Sequence, residues 1–224
     1  MKKITSILLA ALFTVALATG CAGKTTNTSN TTDNSKPKDT EADSSLLSKS
    51  YADLMKTGKY YMHYTAKITN QGQSIEAENT MATDGKSTAL TTVTSGTKTH
   101  IIVKDKTIYM LNDSNKTYFK MSIPDTGTQS SPAGSVEDSK IDTSGITYVG
   151  RGKAELNGKT LNYEEYKTDQ GTLRYYFDGN KLYAIVDKTS EAEVMMVIVE
   201  LSDKVTADML EIPAGYTQSN DIAN

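Results

Sequence analysis

The chain has 224 residues, with 24 basic and 27 acidic side chains and one cysteine. A net charge of −3 offers no basic face for nucleic acid or for an anionic membrane surface. A lone cysteine excludes an internal disulfide, so any folded domain must rest on its apolar core, and the length suits one such domain with extensions.

The N-terminus divides into three parts. Lys2 and Lys3 give a positive start, Ile4 to Ala18 is an apolar run, and Thr19-Gly20 lead into Cys21. This is the layout of a secretory signal. The run is shorter than the ~20 apolar residues a bilayer-spanning helix needs, and a polar segment follows at once. Ala18-Thr19-Gly20-Cys21 resembles the lipobox of bacterial lipoproteins, with Ala18 where leucine is most usual. The resemblance implies a diacylglyceryl group, carrying acyl chains such as palmitate, on the Cys21 thiol. It also implies cleavage between Gly20 and Cys21. The plainer alternative is an ordinary signal cut that leaves an incidental cysteine. Two or three acyl chains would make the membrane anchor firm, because each buried methylene contributes about 0.8 kcal/mol.

Removal of residues 1–20 takes away two lysines and no acid, so the remainder is more acidic still. Residues 21–45 are Lys, Thr, Asn, Ser, Asp and Glu with almost nothing apolar after Cys21, which reads as a disordered tether. Leu46, Leu47, Tyr51, Leu54 and Met55 then recur at helical spacing. Asp43 or Ser44 is expected to cap this helix and Gly58 to end it.

Beyond Gly58 the period changes to two. Tyr60, Met62, Tyr64, Ala66 and Ile68 share one strand face, with Tyr61, His63, Thr65 and Lys67 on the other. Ile75, Ala77 and Met81 continue the pattern after a turn at Gln71-Gly72. Further strands are expected at 87–94, 98–104, 107–111 and 117–122, separated by Asp84-Gly85, Ser95-Gly96, Lys104-Asp105-Lys106 and Asn112–Asn115. Residues 124–144 read as a long polar loop, the kind that works as a flap when it occurs inside a domain. Strands resume at 145–155, 159–168, 172–177, 181–187 and 193–201, with Asn157-Gly158 a strong hairpin signal. A helical turn at 206–210 leads into Ile212-Pro213-Ala214-Gly215-Tyr216, and residues 218–224 read as a flexible tail.

About eleven meandering strands and one helix predict a mainly β (α+β) domain over residues 46–217. Its expected architecture is a single large, strongly curved antiparallel sheet, an unclosed barrel with the N-terminal helix covering the concave side. A lipobox, a Thr/Ser/Asn tether, a leading helix, strands with Tyr-Tyr and Ile-Tyr-Met steps and a closing Ile-Pro-Ala-Gly-Tyr together resemble the LolA/LolB and LppX/LprG superfamily of lipoproteins. That resemblance implies an open barrel with helices in its mouth. It also implies acyl chains or lipoproteins as cargo.

The apolar strand face is the candidate site. Tyr60, Met62, Tyr64, Ile68, Met81, Ile101, Val103, Met110, Phe119 and Met121 are the expected lining for an apolar ligand, with a filled core as the alternative. Thirteen tyrosines and nine methionines against three phenylalanines and no tryptophan favour adaptable apolar surfaces with polar tips. His63 and His100, the only histidines, lie opposite the apolar face and have no ligand cluster around them. The turn aspartates Asp84, Asp105, Asp113, Asp169 and Asp178 are expected to bond their own backbone. Glu164 and Glu165 point to opposite faces and cannot act as a pair.

No catalytic residue, metal site or cofactor is expected, and Gly-x-Ser-x-Gly and phosphate-binding loops are absent from the sequence. The sequence therefore predicts a non-enzymatic extracytoplasmic protein, held to the bacterial cell membrane by lipid on Cys21, that binds an apolar or acyl ligand. An envelope interaction module with a filled core, docking a protein partner, is the first alternative. A hydrolase built around His63 or His100 is the second.

Overall fold

In a computed structural model, described over residues 46–123 and 146–219, one helix and twelve strands build a single curved, unclosed sheet. The signal segment, Cys21, the tether, the 124–144 loop and residues 220–224 lie outside the described residues.

Helix α1 spans Leu47–Lys56. Its strands follow as β1 (Lys59–Asn70), β2 (Gln73–Asp84), β3 (Thr88–Thr94), β4 (Thr97–Lys104), β5 (Thr107–Asn112) and β6 (Thr117–Ser122). The second run is β7 (Thr147–Leu156), β8 (Lys159–Lys167), β9 (Gly171–Asp178), β10 (Lys181–Thr189) and β11 (Ala192–Ser202), closed by β12 (Thr217–Gln218). Two-residue turns set the tightest hairpins. Gln71-Gly72, Ser95-Gly96, Asp105-Lys106 and Asn157-Gly158 all take positive φ at both positions, the conformation whose twist matches paired strands.

The order across the sheet is β12-β6-β5-β4-β3-β2-β1-β11-β10-β9-β8-β7. Two antiparallel meanders thus meet at a β1–β11 seam, in which Asn70 faces Ala192 and Tyr61 faces Ser202. The expectation of a wholly antiparallel sheet needs one correction. β12 runs parallel to β6, pairing Thr217 with Thr117 and Gln218 with Tyr118, so the sheet is mixed and extends one residue past the expected domain edge. Two residues carry no periodicity, which is why this strand leaves no trace in the pattern.

Each register shift leaves one residue without an opposite number: Val199 in β11, Val149 in β7 and Tyr183 in β10. Bulged residues escape the inside–outside alternation. This accounts for Val149 and Val199, which are 57% and 50% exposed although strongly apolar.

Gly171 starts β9 opposite Thr189, and a Cβ there would lie 1.9 Å from the Lys188 carbonyl oxygen. Only glycine permits this approach of backbone to backbone. Gly171→Ala is expected to force the ends of β9 and β10 apart and cost about 1–3 kcal/mol, read as a lowered denaturation midpoint.

Both faces of the sheet carry a core. α1 lies on the concave side, where Met55, Tyr60, Met62, Tyr64, Ala66, Phe177, Leu182, Ile185 and Ile198 form the main buried cluster. On the outer side, Leu210 of a 3-10 turn (Ala207–Leu210) packs on Ala82, Ala89, Ile102 and Leu111, with Ile212 and Tyr216 beside it. The C-terminal segment is therefore a strap across the outside of β2–β6. It is held by a Lys104–Glu211 ion pair and by a hydrogen bond from the Tyr216 hydroxyl to Asp113.

Candidate functional site: the helix side of the sheet

Strand register defines the site. Met62 faces Met81, Met81 faces Leu90, Leu90 faces Ile101, Ile101 faces Met110 and Met110 faces Phe119. On the other side of the seam Met62 faces Leu201. One apolar row thus crosses seven strands without a polar interruption. A second row runs from Val103 through Ile108 to Met121, and a third joins Ile75, Ile68 and Val194.

All ten residues expected to line an apolar site fall on this one face. Tyr60, Met62, Tyr64 and Val103 are buried, Ile68, Met81, Ile101, Met110 and Phe119 are half-buried, and Met121 is exposed. The sequence reading missed the matching residues of the second meander: Leu173, Tyr175, Phe177, Ile185, Met196 and Ile198. Their alternation is visible at Leu173, Tyr175 and Phe177. Which of the two faces joins the first meander, however, depends on the β1–β11 register, and local pattern does not encode that.

The helix is fixed by tertiary contacts. Asp43 and Ser44 lie outside the described residues. The N-cap position is Leu46, which has no side-chain cap of its own. The Glu164 carboxylate takes that role from β8: one oxygen accepts from the Leu47 N–H and the other from the Ser48 N–H, each at 2.9 Å. Glu164 is buried, and its position at the positive end of the helix dipole suits its charge. Beside it the Ser48 and Tyr166 hydroxyls are 2.6 Å apart. Further along, the Tyr51 hydroxyl accepts from the Leu182 N–H and donates to the Asn180 carbonyl, spanning the β9–β10 turn. At the C-terminal end Gly58 takes φ +70° and its N–H bonds the Met55 carbonyl, as the sequence led one to expect.

A ten-residue helix is about 15 Å long and ~10 Å across. Twelve strands spaced ~4.8 Å apart make a much wider surface. α1 packs on β1, β9, β10 and β11, whereas Val103 and Ile108 form a separate cluster with Ile101, Met110 and Ile123. A polar row, Asn79, Thr92 and Thr99, runs beside the apolar one on this face, with Thr83 and Thr88 on its other side. Asn79, fully buried, accepts from the Thr92 hydroxyl and donates to the Ala77 carbonyl. Burial, with Tyr60 close by, pushes the Tyr64 hydroxyl up to about 12, and burial beside Tyr166 does the same for Tyr175. Both hydroxyls therefore stay protonated at physiological pH.

The histidines lie on the outer face. His63 Nε2 is 2.8 Å from Glu78, and His100 stands near Asp113, which Lys98 also contacts. Desolvation lowers the His100 pKa against the opposing pull of Asp113. Asp84 bonds the Lys86 and Ser87 N–H groups of its own turn, as expected. Asp113 and Asp178 depart from that expectation: they pair with Lys98 and Tyr216, and with Lys159. Glu165 meets Arg174 on the outer face, opposite Glu164. Among the described residues no group of three or more acidic, histidine or cysteine side chains could hold a metal.

These features define a class: a half-open β-sheet whose concave face is apolar and carries a helix pinned at its N-terminus. No protein-family model and no curated protein matches the chain. Among solved structures it is similar to the Mycobacterium tuberculosis lipoprotein LppX, at 14% identity over 75% of this chain and 100% of that one, with a TM-score of 0.41. LprF from Mycobacterium bovis is 13% identical over 76% and 95%, with a TM-score of 0.43. A LolA superfamily protein from Nitrosomonas europaea is 7% identical over 73% and 96%, with a TM-score of 0.38.

Proposed function

We propose that this protein is an extracytoplasmic binding protein, anchored in the cell membrane through lipid on Cys21, that holds an apolar or acyl ligand against the helix side of its sheet without chemical conversion. The observation that carries the reading is the unbroken apolar row from Leu201 to Phe119, far wider than the helix laid on it. Burial of apolar surface at about 25 cal/mol per Å2 supplies the affinity, and side chains such as methionine adapt to chains of different shape. Solvent extraction of the purified protein followed by mass spectrometry is expected to release a stoichiometric lipid beyond the anchor. An extract holding anchor fragments alone, with no uptake of a neutral fluorescent lipid, removes the reading.

The anchor has its own test. Cys21→Ser is expected to abolish lipidation and leave uncleaved precursor or released protein. Mature-sized protein that stays in the membrane fraction after this change contradicts the assignment. No helix among the described residues is long and apolar enough to cross a membrane.

One observation favours a second reading, an envelope interaction module. β7 is the end strand of the sheet and presents Val149 to solvent. An end strand offers unpaired backbone groups to a partner strand. A hydrolase has less support: among the described residues the histidines pair with Glu78 and Asp113 on the outer face, away from the apolar side.

A further inference from the structure

Charge is distributed very unequally between the two faces of the sheet. Across β1–β6 and β9–β11 the outer face bears Lys59, His63, Lys67, Glu76, Glu78 and many more. On the helix side of those nine strands the alternation places a single charged residue, Asp187. Its cross-strand partners are Leu173 and Val194, and Val194 in turn faces Ile68. Ile185 precedes it by two residues on the same face. Neighbouring Lys188 points outward and pairs with Glu193. Asp187 itself has no hydrogen bond or ion pair among the described residues, and it is only half-exposed.

A carboxylate without a partner in an apolar patch opposes folding, because burial removes water and nothing replaces it. Burial accordingly raises the Asp187 pKa above the ordinary aspartate range. The sign follows directly. A folded pKa above the unfolded one makes the charged form the disfavoured one, so the penalty grows as pH rises through the folded value and vanishes below the unfolded one. Among the other groups facing this side, Tyr175 and Tyr64 stay neutral, Glu164 is bound to the helix N-terminus, Lys49 pairs with Asp53 on the helix, and Arg151, Lys153 and Glu155 stand on the end strand β7, three strands from β10. None of them compensates Asp187.

We infer that Asp187 is the head-group site of the apolar face, selecting amphiphiles that carry a positive charge next to their hydrocarbon chain. The inference rests on the binding function proposed above and names its ligand class. The apolar rows take the chain, and the carboxylate, at partial burial, gives an ion pair worth more than one in open water. An anionic amphiphile meets repulsion at the same point.

The test uses the full chain held in phosphatidylcholine nanodiscs at neutral pH, with empty nanodiscs as blank. Isotope-labelled dodecylammonium, dodecanol and dodecanoate are the probes. Dodecanol reports the apolar face alone. Dodecylammonium is expected to bind about tenfold more tightly than dodecanoate, a modest effect for one half-buried charge. Asp187→Asn is expected to bring the two within about twofold of each other while leaving dodecanol unchanged, and Asp187→Glu to keep the preference. The Asn variant is also expected to be more stable than the parent at neutral pH, with no advantage below the unfolded aspartate pKa. Uptake of dodecanol with equal binding of the two ions, or a preference that survives Asp187→Asn, overturns the head-group inference and leaves apolar binding standing. Failure of all three probes to bind overturns both.

Discussion

Glu164→Leu is expected to lower stability by about 3 kcal/mol and the melting temperature by roughly 10 °C. The two carboxylate oxygens of Glu164 satisfy two of the orphan donors at the start of α1, and the residue is buried. Leucine fills the volume and accepts nothing, so both N–H groups lose their partners away from water. Glu164→Gln keeps one acceptor but loses the charge that faces the helix dipole, and about 1 kcal/mol is expected. Amide hydrogen exchange provides the local readout, with Leu47 and Ser48 losing protection first. A Leu variant that melts within 2 °C of the parent would show that the helix is held by packing alone, through Tyr51 and Met55.

Phe177→Ala is expected to cost about 4 kcal/mol, lowering the melting temperature by roughly 12 °C. Phe177 is 1% exposed and sits at the centre of the helix-side cluster with Leu182 and Ile185. Its ring lies 6.2 Å from that of Tyr51, tilted by 38°. Truncation removes the floor beneath the helix, and the flanking β9–β10 hairpin is too tightly paired to collapse into the space. The loss is expected to combine less than additively with Glu164→Leu, since both changes release the same helix. Full additivity in chemical denaturation of the double variant would refute that coupling.

The two effects share a cause. α1 is the first element among the described residues, and it lies on the apolar face. Its attachment is polar at one end, through Glu164 and Tyr166, and apolar along its length, through Leu47, Tyr51, Leu54 and Met55. The polar end fixes where the helix sits, and the apolar length supplies most of the stability.

Much of the first meander was legible. Alternation in β1 separated Tyr60, Met62 and Tyr64 from Tyr61, His63 and Thr65, and Gln71-Gly72 fixed the register of β2. From there each tight turn carried the assignment to the next strand, which is why Ile101, Met110 and Phe119 fall in line with Met62. The second meander was legible strand by strand, but its orientation relative to the first was not. Asp187 shows the consequence. In sequence it stands at the expected end of a strand, an ordinary place for a solvated acid. In the sheet β10 runs on to Thr189, and Asp187 stands between Leu173 and Val194 on the apolar side.

By itself, then, the sequence determined the two faces of each strand, the helix and its end at Gly58, and the hairpin turns. All of these follow from interactions within a few residues: period-two alternation, period-3.6 alternation, and backbone conformations that only certain turn residues accept. Tertiary structure alone decided the β1–β11 seam, the capping of α1 by Glu164 more than a hundred residues away, the parallel β12, and the isolation of Asp187. Those features depend on which distant segments pair, and pairing across such a separation is chosen by the burial energy of the whole sheet rather than by any local pattern.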